Sequence, residues 1–152
     1  MKKISIGSKG FTLIELLVVI TIIGILMTIV IQSLSDSRTK AYDSEVKQQL
    51  VRFRSAAEIY FNNQTPNSYS VAGDCVTANT MFTDVDQTDG APGLYLQFTN
   101  LPAPPTIVCG SDGFRYALKA TLPSTNAYWC VDSKGASKQV AGAIGTSVLV
   151  CP

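Results

Sequence analysis

At 152 residues the chain has room for one domain, and for less than that once a membrane span is subtracted. Its net charge of +1 excludes an overall basic field for nucleic acid or an acidic field for cationic partners. It has no histidine, so histidine general-base chemistry and imidazole metal ligation are excluded as well.

Met1 to Gly10 carries Lys2, Lys3 and Lys9 and no acidic residue. Positive charge beside a span keeps that side in the cytoplasm, which predicts that the bulk of the chain lies outside. From Leu16 to Ser35 no residue is charged, and a run of about 20 apolar residues crosses a hydrocarbon core as a helix. Gly24 is the only helix-weakening residue in this run. Glu15 stands at its edge. A carboxylate at the centre of a span costs about 2.5–3.5 kcal/mol on insertion scales, less near the edge, and anchoring alone gives it no role. No lysine or arginine lies between residues 10 and 37 to pair with it. An amine released at Phe11 by cleavage would supply the cation. Within one straight helix the two groups are separated by about 6 Å of rise, so a staggered neighbour is the better partner.

Lys9-Gly10-Phe11-Thr12-Leu13-Ile14-Glu15 resembles the processing site of type IV prepilins and the related type II secretion pseudopilins. The resemblance covers roughly the first third of the chain. It implies cleavage between Gly10 and Phe11 by a membrane-embedded prepilin peptidase, N-methylation of Phe11, and pairing of Glu15 with the N-terminal amine of a neighbouring subunit. Many type IV pilins carry a proline late in this segment. Here Ile31-Gln32-Ser33-Leu34 occupies that region and the first proline is Pro66, so the chain departs from the family pattern that accompanies helix loosening near Gly24.

Beyond the span, Val46, Leu50, Phe53, Ala57 and Tyr60 recur at three- and four-residue spacing, while Glu45, Lys47, Arg52, Arg54 and Glu58 lie mostly off that stripe. This predicts an amphipathic helix with one buried face. Asn62 to Asn67, which includes Pro66, stops it. A polar connection follows to about residue 93. Within it Asp84-Val-Asp86-Gln-Thr-Asp89-Gly90 crowds oxygen ligands but fails EF-hand spacing, and reads as an acidic turn.

After Pro92, β-like runs at Leu94–Thr99, Phe114–Thr121, Ala127–Asp132 and Ser147–Cys151 predict an antiparallel sheet of three to five strands, with Tyr116 and Trp129 as core aromatics. Cys75, Cys109, Cys130 and Cys151 all follow the span. An even number there predicts two disulfides rather than zinc, since none forms a Cys-x-x-Cys pair. Cys130–Cys151 with Cys75–Cys109 is favoured among three possible pairings, which stay open.

The expected fold is α+β: a long helix, transmembrane then amphipathic, packed on a small antiparallel sheet, as in type IV pilins. Residues 1–10 form the leader, 11–33 the transmembrane and assembly half of the helix and 34–62 its amphipathic half. Residues 63–93 are the connecting loop and 94–152 the disulfide-bonded sheet region. The resemblance implies a structural subunit that polymerises through its N-terminal helix into a pilus for adhesion, motility or DNA uptake. A type II secretion pseudopilin or a minor pilin is the alternative. Its partners would be copies of itself in a helical filament, the prepilin peptidase, the assembly platform and, before assembly, the inner membrane. The leader would stay in the cytoplasm and the mature protein would end in an extracellular filament. An enzyme on an anchor finds no nucleophile motif or metal cluster, and no cofactor is expected. Arg52, Arg54, Arg115, Lys119, Lys134 and Lys138 are scattered and form no basic stripe for nucleic acid.

Overall fold

The structure, a computed structural model, describes residues 10–69, 73–98, 101–102, 104–125, 127–142 and 149–152. Leader residues 1–9 lie outside the described residues. The chain divides into two units, Met1–Ser37 and Arg38–Pro152, and a single helix, α1 (Leu13–Asn63, 51 residues), contributes residues to both.

In the first unit the described residues are helical from Leu13, and none is buried within the chain. About six consecutive turns of exposed apolar side chains would be unstable in water. The exposed row from Leu13 to Leu34 is long and apolar enough to cross a membrane as a helix. The helix continues through Gly24, beside which the Thr28 hydroxyl donates to the Gly24 and Ile25 carbonyls at 3.2 and 2.8 Å.

In the second unit α1 buries Val46, Leu50, Phe53 and Ala57 completely, while Tyr60 is only half-buried. These residues meet a four-stranded antiparallel sheet in sequential order: β1 (Ile107–Ser111), β2 (Tyr116–Thr121), β3 (Tyr128–Asp132) and β4 (Ser137–Val140). Tyr116, Leu118 and Ala120 alternate along β2 on the core face, as the two-residue strand period requires. Phe53 is the hub. Its ring lies 5.8 Å from Phe82 and 5.7 Å, edge-on, from Tyr116, which in turn meets Tyr69 at 4.9 Å. Full burial of each such side chain stabilises by about 1.5–3 kcal/mol.

Polar ties close the unit. The buried Asp43 carboxylate on α1 accepts hydrogen bonds from the Ser124 N–H at 3.0 Å and from the Ser124 hydroxyl, fixing the β2–β3 turn to the helix. Asp132, fully buried, accepts from Lys134 and Ala136 N–H at 3.0 and 2.9 Å, and from Cys151 N–H at 2.8 Å. One carboxylate thus shapes the β3–β4 turn and holds the chain near its last residue. Arg54 donates to the Gly135 carbonyl at 2.9 Å, and Lys47 lies 4.9 Å from the Trp129 ring, which is half-buried.

The strand limits correct the sequence expectation in several places. Leu94–Thr99 is not a strand: Pro92–Leu96 is a 3-10 helix, and Thr99 lies outside the described residues. Gly90 (φ +104°) and Ala91 (φ +44°) turn the chain sharply before Pro92, whose fixed φ starts a helical turn. A Cβ on Gly90 would sit 2.7 Å from the Ala56 carbonyl oxygen, so only glycine lets this turn press on α1. Phe114 and Arg115 belong to the β1–β2 turn rather than to β2, because the Asp112 side chain captures both of their N–H groups. Leu149–Cys151 is not a strand, while Ser147 and Val148 lie outside the described residues. Strands β1 and β4 were not foreseen.

Candidate functional site

The features singled out in the sequence gather around the start of α1. Gly10 is exposed, with nothing within 4 Å of where a Cβ would stand, and Phe11 is 89% exposed. Both precede the first helical residue, Leu13. Glu15 lies in the first turn, where a carboxylate complements the positive end of the helix dipole.

Glu15 is already engaged within its own chain. Its Oε2 accepts the Thr12 backbone N–H at 2.9 Å and the Thr12 hydroxyl at 2.7 Å, and the Glu15 N–H donates back to Thr12 Oγ1 at 3.3 Å. This is a capping box, in which residues three apart satisfy each other's orphan donors, and it stabilises a helix start by about 1 kcal/mol. Sequence reasoning had assigned Glu15 only a cation as partner and had missed Thr12. The signal was present as Thr12-Leu13-Ile14-Glu15 ahead of an apolar run.

The four cysteines form two disulfides, Cys75–Cys109 and Cys130–Cys151, separated in sequence by 34 and 21 residues. The first pins the loop after α1 to β1. The second joins β3 to Cys151, near the contact that Asp132 makes. Closing loops of this length restricts the unfolded chain and stabilises by about 3–4 kcal/mol each.

The acidic turn lines a cavity of about 460 Å³ together with Tyr60 and Gln64. Asp84 Oδ1 accepts the Asp86 N–H, Asp86 Oδ1 accepts the Thr88 N–H and hydroxyl, and Gln64 Nε2 reaches Asp89 Oδ2 at 3.5 Å. Asp84 Oδ2 and Asp89 Oδ1 are buried atoms without a donor among the described residues. Among the described residues no group of three acidic, cysteine or histidine side chains is arranged to hold a metal ion.

Burial pushes the Asp89 carboxyl above its ordinary range, and the neighbouring Asp84 carboxyl and the charges of Asp84 and Asp86 push the same way. A carboxyl raised on folding favours the folded state at acid pH, and that contribution is lost as pH rises through its raised value. Asp89→Asn is therefore expected to raise the thermal midpoint by a few degrees at pH 7 and by less at about pH 4. Thermal unfolding at the two pH values checks this. Equal gains at both would contradict it.

The model of the prokaryotic N-terminal methylation motif matches residues 7–31. The type IV wide pilus major component of Thermus thermophilus is 44% identical over 64 residues, which cover 40% of this chain and 49% of that protein. A type II secretion system core protein G of Klebsiella michiganensis is 40% identical over 54 residues, 36% of this chain and 38% of its own length. Fimbrial protein Q of Moraxella bovis is 39% identical over 69 residues, 45% of this chain and 44% of that protein. The chain thus spans about half, or less, of the length of these curated relatives. No solved structure matches it. By its methylation motif and these relatives, the N-terminal part of this chain is similar to that of a type IV pilus component, a fimbrial protein and a type II secretion system core protein, and it forms one long apolar helix.

Proposed function

We propose that the chain is a structural, non-enzymatic subunit of a type IV filament, made as a membrane-anchored precursor, cut between Gly10 and Phe11 and methylated at Phe11. The observation that carries this reading is an exposed apolar helix whose first turn holds one carboxylate, four residues after the Phe11 of a methylation motif. Lipid covers the apolar row before assembly, and neighbouring helices cover it afterwards.

The capping box gives the steps an order. Before assembly Glu15 is held by Thr12 of its own chain, so it enters the membrane edge hydrogen-bonded rather than bare. Cleavage at Gly10 creates an amine at Phe11. In the filament the Glu15 carboxylate meets that amine on a staggered neighbour, where low dielectric strengthens the pair. The assembly platform draws the subunit out with its leader-side charges left in the cytoplasm. Adhesion, motility or DNA uptake would then belong to the exposed sheet region.

The match to core protein G favours a second reading, a pseudopilin of a type II secretion system, and a minor pilin is its close relative. Both keep the same processing and assembly chemistry. A bulky residue at Gly10 tests that shared chemistry. Gly10→Trp is expected to leave nearly all of the chain at its precursor mass in membranes, and normal cleavage of this variant would contradict the Gly10–Phe11 site.

A further inference from the structure

We propose that, in the filament inferred above, each copy docks head to tail on the next by seating its Phe114–Arg115 knob in an apolar groove beside the other copy's Cys75–Cys109 disulfide.

The knob is exposed and rigid. Phe114 is 77% exposed, the most exposed aromatic described in the second unit. Its turn is fixed from several sides. Asp112 Oδ1 accepts the Phe114 and Arg115 N–H groups at 3.1 and 2.8 Å, and Oδ2 binds the Arg115 guanidinium at 3.1 and 2.6 Å. The Gly113 carbonyl accepts from Tyr69 N–H at 2.8 Å and from the Ser68 hydroxyl at 3.1 Å, and the φ of +88° at Gly113 favours glycine. So large an exposed ring on a turn that needs no further ordering is suited to burial against a partner.

The groove measures about 550 Å³ and is lined largely by Val76, Phe82, Val85, Leu96, Pro105 and Ile107. Val76 and Val85 are 81% and 51% exposed. It does not suit its own knob. Ile107 pairs with Ala120 at one end of the β1–β2 hairpin, whereas Ser111 pairs with Tyr116 at the end that carries Phe114. Four strand steps separate the two ends by about 13 Å. A knob and a groove at opposite ends of one hairpin complement each other between copies, and such a heterologous contact propagates as an open chain rather than closing a dimer.

Charge selects the occupant. The groove shares Thr83 and Val85 with the cavity that holds Asp84, Asp86 and Asp89. A docked Phe114 brings Arg115 of the same copy, whose Nε and Nη2 stay on Asp112, to this acidic rim, where Asp86 is exposed. A second copy therefore offers the ring and the guanidinium side by side in one turn.

The test uses the full chain in cells that assemble it. The photoreactive residue p-benzoylphenylalanine is placed at position 114 in a minority of subunits among unaltered ones, and sheared filaments are irradiated. Crosslinked dimers whose linked peptide contains Val76, Val85 or Ile107 are expected. Links to any other segment or protein, or filaments yielding none, overturn the docking. In parallel, Phe114→Ala is expected to lower the amount of filament by about tenfold at an unchanged subunit level, since one buried ring is lost at each contact. Equal filament yield overturns the docking and leaves the filament reading intact. Absence of the unaltered chain from filaments overturns both, and is read first.

Discussion

Glu15→Ala is expected to reduce filaments by at least about tenfold while membrane insertion and cleavage after Gly10 stay normal. The substitution removes two things at once. It ends the capping box with Thr12, whose loss weakens the first turn of α1 by about 1 kcal/mol. It also removes the only carboxylate described between Gly10 and Ser35, and with it the partner for a neighbour's Phe11 amine. At 4 Å, and with an effective dielectric constant of about 20, such a pair is worth about 4 kcal/mol before desolvation, so the second loss dominates. Glu15→Gln separates the two. Its amide oxygen can still accept both Thr12 bonds, but it carries no charge. Filament yields measured after shearing should be low for both variants. Normal yield for Glu15→Gln would show that the cap matters and the charge pair does not.

Phe53→Ala is the second large effect. It is expected to destabilise the Arg38–Pro152 unit by about 3–5 kcal/mol, as for other buried aromatics cut to alanine. The ring is fully buried and touches both Phe82 of the connecting loop and Tyr116 of β2, so removing it leaves a cavity between the helix, the loop and the sheet. Against a stability of about 5–15 kcal/mol for a typical domain, this is a large share. Thermal unfolding of the full chain in detergent should show a midpoint lower by about 10 °C or more. Val51→Ala, two residues away and 39% exposed, should change it little. A loss of less than about 1 kcal/mol for Phe53→Ala would mean that the aromatic cluster is not the core of this unit.

The parts of this fold that were legible in the sequence are those where a single period repeats. The uncharged run from Leu16 to Ser35 and the stripe through Val46, Leu50, Phe53 and Ala57 mark the two halves of α1. β2 and β3 were visible because Tyr116–Thr121 and Tyr128–Asp132 combine aromatic and β-branched residues between turn clusters. β1 hid behind Pro104 and Pro105 and contains Gly110, a residue that weakens strands. β4 reads Ser-Lys-Gln-Val, polar as an exposed edge strand should be, and so lacks a hydrophobic signal.

The polar ties were hidden for a different reason. Asp43 carries no local signal of burial, yet it is buried because Ser124, 81 residues later, supplies two donors. Asp132 was legible as the end of a strand, but its bond to Cys151 depends on tertiary placement. At the assembly end the opposite holds. Thr12 and Glu15 are three residues apart, so their mutual capping follows from local spacing alone.

The most direct test of the filament-subunit account is the intact mass of this chain in filaments sheared from cells that express it, taken before and after reduction. The account predicts a chain that begins at a methylated Phe11, is abundant in the filament fraction and gains four hydrogens when its two disulfides are reduced. A chain that keeps its leader and begins at Met1, or one that never leaves the membrane, would contradict it.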